Sequence, residues 1–589
     1  MAGNSQDWFA RNWKVHLFLV WIAICAWFLF NKSAQIHWFA LGDTDDNMRI
    51  MQVRAWLNGQ GWYDLRQYRM DPPRGADIHW SRFVDMPIAG LILAARPFLG
   101  GAGAEKFAVA IAPMIPLGVM LAGLGLAVRR LVAPGAPLIA AGIAVSFVTL
   151  MLMFQPTRID HHGWQLSLLA WLLAGLADPK RARGGATIGA ATALSLVIGL
   201  EMLIWLAVAG AGVVLRWMLA VDEARRLRTY GLTLGGGTAL GYLVFASEAN
   251  RVARCDALTP VWLSTMVVAG AVLFALSYLR IERAAVRLAL AGIAGAALGL
   301  FFVVAWPDCL GRPEQVSPEM QRLWLDNISE AKPLFTQSWA TILSVSVLLI
   351  GLGGSLWQVW RNRASPLGAA WATIALLAIG SSFLLLWQTR TAAAALLFTI
   401  PGATALAWAI LPRMRAHPSM LVRVFGTVAA FLLISGLGFQ LIIGMLPNEG
   451  RKPGLERVNK ANASCPTLPS LKPIALLPKA TILTGVDLGP RLITVTHHSA
   501  IAGPYHRNEA AVLDIHKAFR GQPADALDVM KRHGATLLAI CPDTSETTIY
   551  RAQAPKGFYM QLANGQVPAW LTPVPMPARS PWRVWRLAQ

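Results

Sequence analysis

Thirteen apolar runs separated by arginine-rich gaps constrain this chain more than any other feature. The runs lie near 14–31, 107–128, 135–153, 164–177, 186–198, 200–215, 230–246, 261–279, 286–305, 338–357, 367–386, 392–411 and 421–445. Inside a bilayer no water satisfies peptide groups, so a segment that crosses must do so as a helix. Hydrophobic residues make up 55% of the chain and charged residues 14%, which excludes a soluble globule with one anchor. The 52 Lys and Arg outnumber the 31 Asp and Glu, for a net charge of +21. That surplus is not a nucleic-acid footprint, because it gathers in short gaps between apolar runs. Arg129-Arg130, Lys180-Arg181-Ala182-Arg183, Arg225-Arg226, Arg361 with Arg363, and Arg413 with Arg415 are examples. The positive-inside rule reads these gaps as cytoplasmic loops. Residues 186–215 must then be a hairpin turning near Gly199, since a single long helix would put basic loops on both sides. A cytoplasmic N-terminus and an odd number of spans leave the tail outside. The expectation is a polytopic α-helical membrane protein with about thirteen transmembrane helices over 1–445. Two long outer loops, 32–86 and 306–337, and an outer α/β domain over 446–589 complete it.

This topology sorts the cysteines. Cys25 falls in a span, Cys255 and Cys309 in outer loops, Cys465 and Cys541 in the outer tail. Two disulfides, Cys255–Cys309 and Cys465–Cys541, are expected in an oxidising compartment.

The conspicuous polar groups collect on the same outer side. The first outer loop begins with Gly42-Asp43-Thr44-Asp45-Asp46-Asn47-Met48-Arg49. Three carboxylates in four positions are costly to hold together unless something positive sits among them, a divalent cation or neighbouring arginines. The next outer turn holds Arg158-Ile159-Asp160-His161-His162. The loop at 306–337 ends in Asn327-Ile328-Ser329-Glu330-Ala331-Lys332, and Trp387-Gln388-Thr389-Arg390 marks a short outer turn. Asp160 and its histidines, with Asp43 and Glu330, can supply an octahedral shell for Mg²⁺ or Mn²⁺. Arg390, at the membrane boundary, suits a lipid phosphate. Each motif taken alone has a plainer reading: Asp43–Asp46 as a helix start, Glu330 and Lys332 as a surface ion pair, Arg390 as an interface snorkeller. In the tail, 481–483, 492–495 and 536–540 read as strands, and 510–519 and 524–532 as helices. His497-His498 and Tyr505-His506-Arg507 form a polar loop that either touches substrate or is structural.

The order of these motifs resembles the catalytic subunit of oligosaccharyltransferases, within the GT-C class of polyprenyl-lipid-dependent glycosyltransferases. Asp43, Asn47 and Arg49 match that family's Asp-x-x-x-Asn-x-Arg pattern, and Asp160-His161-His162 stands where it carries Asp-x-Glu. Ile328-Ser329-Glu330 falls at its loop motif, and Arg390 at its lipid-phosphate arginine. The resemblance implies a GT-C fold and an inverting transfer of sugar from a polyprenyl-linked donor to an extracytoplasmic acceptor, in a bacterial inner membrane with the C-terminal domain periplasmic. It implies Asp43 as the catalytic carboxylate, and Asp43, Asp160, His162 and Glu330 as ligands of the Mg²⁺ or Mn²⁺. Arg390 would hold the donor phosphate. Asp45, Asp46, Asn47, Arg49, His161, Asp487, His506 and Arg507 would serve the substrates. The family's Trp-Trp-Asp-Tyr-Gly motif, which recognises a sequon, corresponds to Gly485-Val486-Asp487-Leu488-Gly489. Both tryptophans are missing, so the acceptor is expected to be something other than a sequon asparagine. Two alternatives stay open: a metal-independent transferase of the same architecture, and a transporter or flippase for lipid-linked saccharides. The latter calls for charge at the bilayer midplane and repeated halves.

Overall fold

The computed structural model describes residue 8 and residues 10–446 and 453–588. Every apolar run named above is helical. Among the described residues five helices are long and apolar enough to cross a membrane, or up to seven if each sharply bent pair counts as one span. The bent pairs are Pro137–Ser146 with Val148–Phe154, at 88°, and Val422–Ser435 with Leu437–Met445, at 85°. The second bend falls at Gly436, whose φ of 80° ends the preceding helix in a left-handed cap. Leu203–Leu219, Pro260–Leu276 and Gly368–Leu384 are apolar but only 17 residues long. Such a helix rises about 26 Å, somewhat less than a bilayer's hydrocarbon core, so length alone does not assign each run a crossing. The segment before residue 107 also differs from expectation. A helix begins at Arg82, runs to Ile111 past Pro87 and Pro97, and breaks at Gly100, where φ is 68°.

The C-terminal part carries a five-stranded mixed sheet in the order β2-β1-β3-β5-β4. Its strands are β1 (Thr481–Leu483), β2 (Ser499–Ala500), β3 (Ala535–Ile540), β4 (Leu571–Val574) and β5 (Arg583–Leu587). β1 lies parallel to β2 and β3, while β5 runs antiparallel to β3 and β4. Helices Glu509–Arg520 and Pro523–Arg532 form as the sequence suggests. Residues 492–495, read as a strand, instead end the helix Gly489–Val495, because Pro490 pre-sets its first turn. Both expected disulfides are present.

The first outer loop is built into this C-terminal part rather than lying over it. Met70 bridges to Ala500 in parallel: the Asp71 amide donates to the Ala500 carbonyl at 2.9 Å, and the Ala500 amide to the Arg69 carbonyl at 3.0 Å. This covers the outer edge of β2, which would otherwise present unpaired peptide groups. Helix Gly489–Val495 packs on helix Thr44–Leu57. One buried apolar cluster draws Met48, Met51, Met70, Ile78 and Trp80 from the loop and Ile482, Leu492, Tyr505 and Trp582 from the tail.

Candidate functional site

Helix Thr44–Leu57 starts in a capping box. Asp43 is extended and its Oδ1 accepts from the amides of Asp45 at 2.9 Å and Asp46 at 3.2 Å, while Asp46 Oδ2 accepts from the Asp43 amide at 3.0 Å. The helix-start reading of these carboxylates is therefore correct locally. It does not exhaust their role. Asp46 Oδ1 also accepts from the amides of Ile159, at 2.6 Å, and Asp160, at 2.9 Å. Two loops more than a hundred residues apart are thereby fixed to one another.

Arg158 occupies the middle of the resulting cluster. Its guanidinium pairs with Asp43, with Asp160 at 2.7 Å and with Asp46 at 3.5 Å. The sequence reading quoted this residue but gave it no role; the signal available was the need for a positive group among the acids. Asp46 and Asp160 are buried, whereas the Asp43 side chain is 37% exposed. Burial, reinforced by the charges of Asp43 and Asp160, pushes Asp45 up to about 8. Burial and Asp43 hold Asp46 well above the usual carboxylate range. Burial acts the same way on Asp160, but Arg158 and His162 overcome it and keep Asp160 well below that range.

Atoms of Asp43, Asp46 and Asp160 lie within 4.8 Å of one another, close enough to share a cation. His162 Nδ1 stands 3.1 Å from Asp160 Oδ2, and these two buried atoms have no aligned hydrogen bond. Carboxylates with one imidazole are a donor set that suits a divalent ion, which would take the place the Arg158 guanidinium now holds. A cavity of about 10 Å³ beneath the cluster, lined by Pro87, Arg158, Asp160 and Trp164, has room for about one water.

Behind the cluster lies a supporting layer. Arg49 is fully buried, 3.0 Å from Asp85, over the Trp80 ring at 4.3 Å. Its Nη2 is 3.5 Å from His161 Nδ1. His161 Nε2 is 3.1 Å from Glu201, which also accepts from Gln165 at 2.6 Å. Asn47 donates to the Asp43 carbonyl at 2.6 Å and accepts from Arg491 at 3.3 Å. Asn47, Arg49 and His161 therefore hold the site together from behind instead of facing an open cleft.

The remaining residues named from the sequence lie elsewhere. Glu330 is exposed, on the turn Ser329–Ala331, and is not part of the three-carboxylate cluster. That turn is tied to the Arg390 turn: the Lys332 carbonyl accepts from the Thr389 amide at 2.9 Å and its hydroxyl at 2.8 Å. Arg390 Nε donates to Gln388 at 2.6 Å and Nη2 is 3.8 Å from Glu314, with 42% of the side chain exposed. Asp487 is exposed, its amide donating to Glu546 at 3.1 Å. His506 is 2.6 Å from Asp256, and Arg507 grips both Asp256 oxygens at 2.7 Å each. The Arg507 side chain is 2% exposed, so its fork is engaged with protein rather than with an acceptor.

No protein-family model matches this chain, and no curated protein matches it. Solved structures do. An archaeal oligosaccharyltransferase, AglB from Archaeoglobus fulgidus in complex with an inhibitory peptide and a dolichol-phosphate, aligns with TM-score 0.66 and 15% identity, covering 93% of this chain and 72% of that one. The apo form of the Archaeoglobus fulgidus oligosaccharyltransferase aligns at 0.64 and 16%, over 90% and 70%. Its complex with Zn and sulfate aligns at 0.58 and 15%, over 87% and 66%. At such identities the likeness establishes the fold, which is that of these enzymes from the membrane helices to the C-terminal sheet.

Proposed function

We propose that this chain is a membrane glycosyltransferase of the GT-C type, moving a sugar or glycan from a polyprenyl phosphate or diphosphate carrier to an acceptor on the outer side of the membrane. The observation that carries the reading is the convergence of Asp43, Asp46, Asp160 and His162 on one point within an oligosaccharyltransferase-like fold. A neighbour in complex with a dolichol-phosphate and a peptide supports a lipid-linked donor. The absence of both tryptophans from residues 485–489 supports an acceptor other than a sequon asparagine. In this reading the membrane is a bacterial inner membrane, residues 1–445 form the catalytic domain and residues 446–589 a periplasmic domain.

Asp43 is the acidic residue of the cluster with an exposed edge, so it receives the acceptor and orients the nucleophile towards the anomeric carbon. Its Oδ1 is fixed by the amides of the capping box, which leaves Oδ2, now on Arg158, as the atom that changes partner. Asp160 and His162, with Asp43, are the residues that would hold Mg²⁺ or Mn²⁺. Such an ion would offset charge on the departing phosphate. Arg390 is the proposed phosphate clamp, with Glu330 beside it on the linked turn. A metal-independent version of the same reaction is favoured by Arg158, a positive charge the chain itself places among the three carboxylates.

The test is incorporation of labelled sugar into membrane extracts. Asp43→Ala is expected to lower transfer by about 100-fold or more, the usual loss for an acid–base group, and Asp160→Ala and Glu330→Ala to lower it as well. Undiminished transfer by Asp43→Ala defeats the reading. Transfer that survives a strong chelator selects the version in which Arg158 is the cation.

A further inference from the structure

One set of metal-ligating side chains is left unused by the reaction above. His79 lies on the first outer loop, Asp256 beside the Cys255–Cys309 disulfide, and His506 on the C-terminal part. One atom from each falls within 4.8 Å of the others. The imidazoles of His79 and His506 are 4.8 Å apart between centroids, and His506 Nε2 is 2.6 Å from Asp256 Oδ2.

We propose that His79, Asp256 and His506 form a second cation site, for a borderline divalent ion such as Zn²⁺, which clasps the C-terminal domain to the membrane part. Two imidazoles and one carboxylate are a donor set that suits zinc and leaves a fourth position for water. Zinc bonds of about 2.0–2.1 Å set tetrahedral ligand atoms roughly 3.3 Å apart, within the 2.6–4.8 Å that separates these atoms here. Among the described residues the His79 ring has no hydrogen-bond partner, so a ring nitrogen is left to be given to an ion. The ligands are also held in place. Asp256 follows a disulfide-bonded cysteine, and the His79 carbonyl accepts from Asn250 at 3.4 Å. The Asn250 Oδ1 is buried without a partner. Arg507 shares Asp256 and also faces Asp77, as Arg254 does, while Glu201 adds a third carboxylate to the neighbourhood. Arg507 now holds both Asp256 oxygens, so an ion bound here takes over one of them from the guanidinium.

The site is tested on the full chain in detergent, stripped with chelator and titrated with Zn²⁺ against a competing dye. Asp160→Asn removes the other candidate cation position, so its failure and the failure of the clasp are separable. On that background one equivalent of zinc is expected to remain, and to be lost in both D160N/H79Q and D160N/H506Q. X-ray absorption at the zinc edge of D160N supplies a readout that needs no further variant, and two imidazole ligands are expected. No zinc bound by D160N, zinc retained in both double variants, or an absorption spectrum without histidine ligands would each overturn the proposal and leave a hydrogen-bonded clasp.

Discussion

Between helices Leu348–Arg361 and Ala392–Arg415 the contact is made of glycine; between the first outer loop and the C-terminal part arginines reach across beside a shared apolar cluster. In the first region a methyl placed on Gly402 would run into the Gly351 carbonyl and Ser355, and one on Gly351 into Thr399. In the second, Arg54 donates to the Thr494 carbonyl at 2.6 Å and Arg491 reaches the Phe39 carbonyl at 2.8 Å. The difference follows from the solvent. Lipid tails are as apolar as side chains, so helices in a bilayer gain by close backbone approach. Outside the bilayer, removing polar groups from water requires that they find partners. A cluster such as Asp43, Asp46, Asp160 and Arg158 can be assembled in the second kind of region, where a charged layer is already built.

The comparison can be broken at its strongest point first. Gly402→Leu has nowhere to put its side chain and is expected to cost more than about 4 kcal/mol. Size-exclusion of the detergent-solubilised variant should show loss of the monodisperse peak, and a normal peak would mean the helices do not meet backbone to backbone. Next in size is Asp85→Ala, which strands Arg49 and Arg82, both fully buried. Removing one member of such a group costs about 3–5 kcal/mol, and faster hydrogen exchange along Thr44–Leu57 is the expected sign. Exchange unchanged from wild type would show that charge does not hold the outer region. The smallest effect concerns His533, set between Asp71 of the loop, at 3.1 Å, and Asp514, at 2.8 Å. Its hydrogen bond to Asp71 raises it above 6.5, against the effect of partial burial. A raised folded value stabilises fully below the ordinary value of 6.5, and that contribution fades as pH climbs through the raised value. Thermal melts should show the wild type losing its advantage over His533→Gln from neutral to alkaline pH. An advantage constant with pH would mean that the proton on His533 plays no part.

The sequence was most legible where one physical demand acts alone. Apolar runs located the helices, and the expected pairings of Cys255 with Cys309 and of Cys465 with Cys541 are both formed. The acids at 43–46 demanded a positive partner, and the residue that meets the demand stands two positions before Asp160. Arg158 was not singled out because an arginine beside a carboxylate is common, and its reach to Asp43 exists only in three dimensions. The same holds for Glu201, which the chain places against His161 across a helix hairpin. Short apolar runs were ambiguous: Leu492–Val495 carries strand-like residues, yet Pro490 starts a helix through them. The strands at 571–574 and 583–587 were missed because prolines surround them. His506 and Arg507 were assigned to substrate, and the structure spends both on Asp256.

The link between Asn47 and Arg491 spans 444 positions of chain. During synthesis the first loop emerges long before its partner has left the ribosome. Until then Asn47 lacks one of its partners, and helix Thr44–Leu57 lacks the helix Gly489–Val495 that packs on it. A chain that stops short of β1 would hold every apolar helix and still lack the cover over helix Thr44–Leu57.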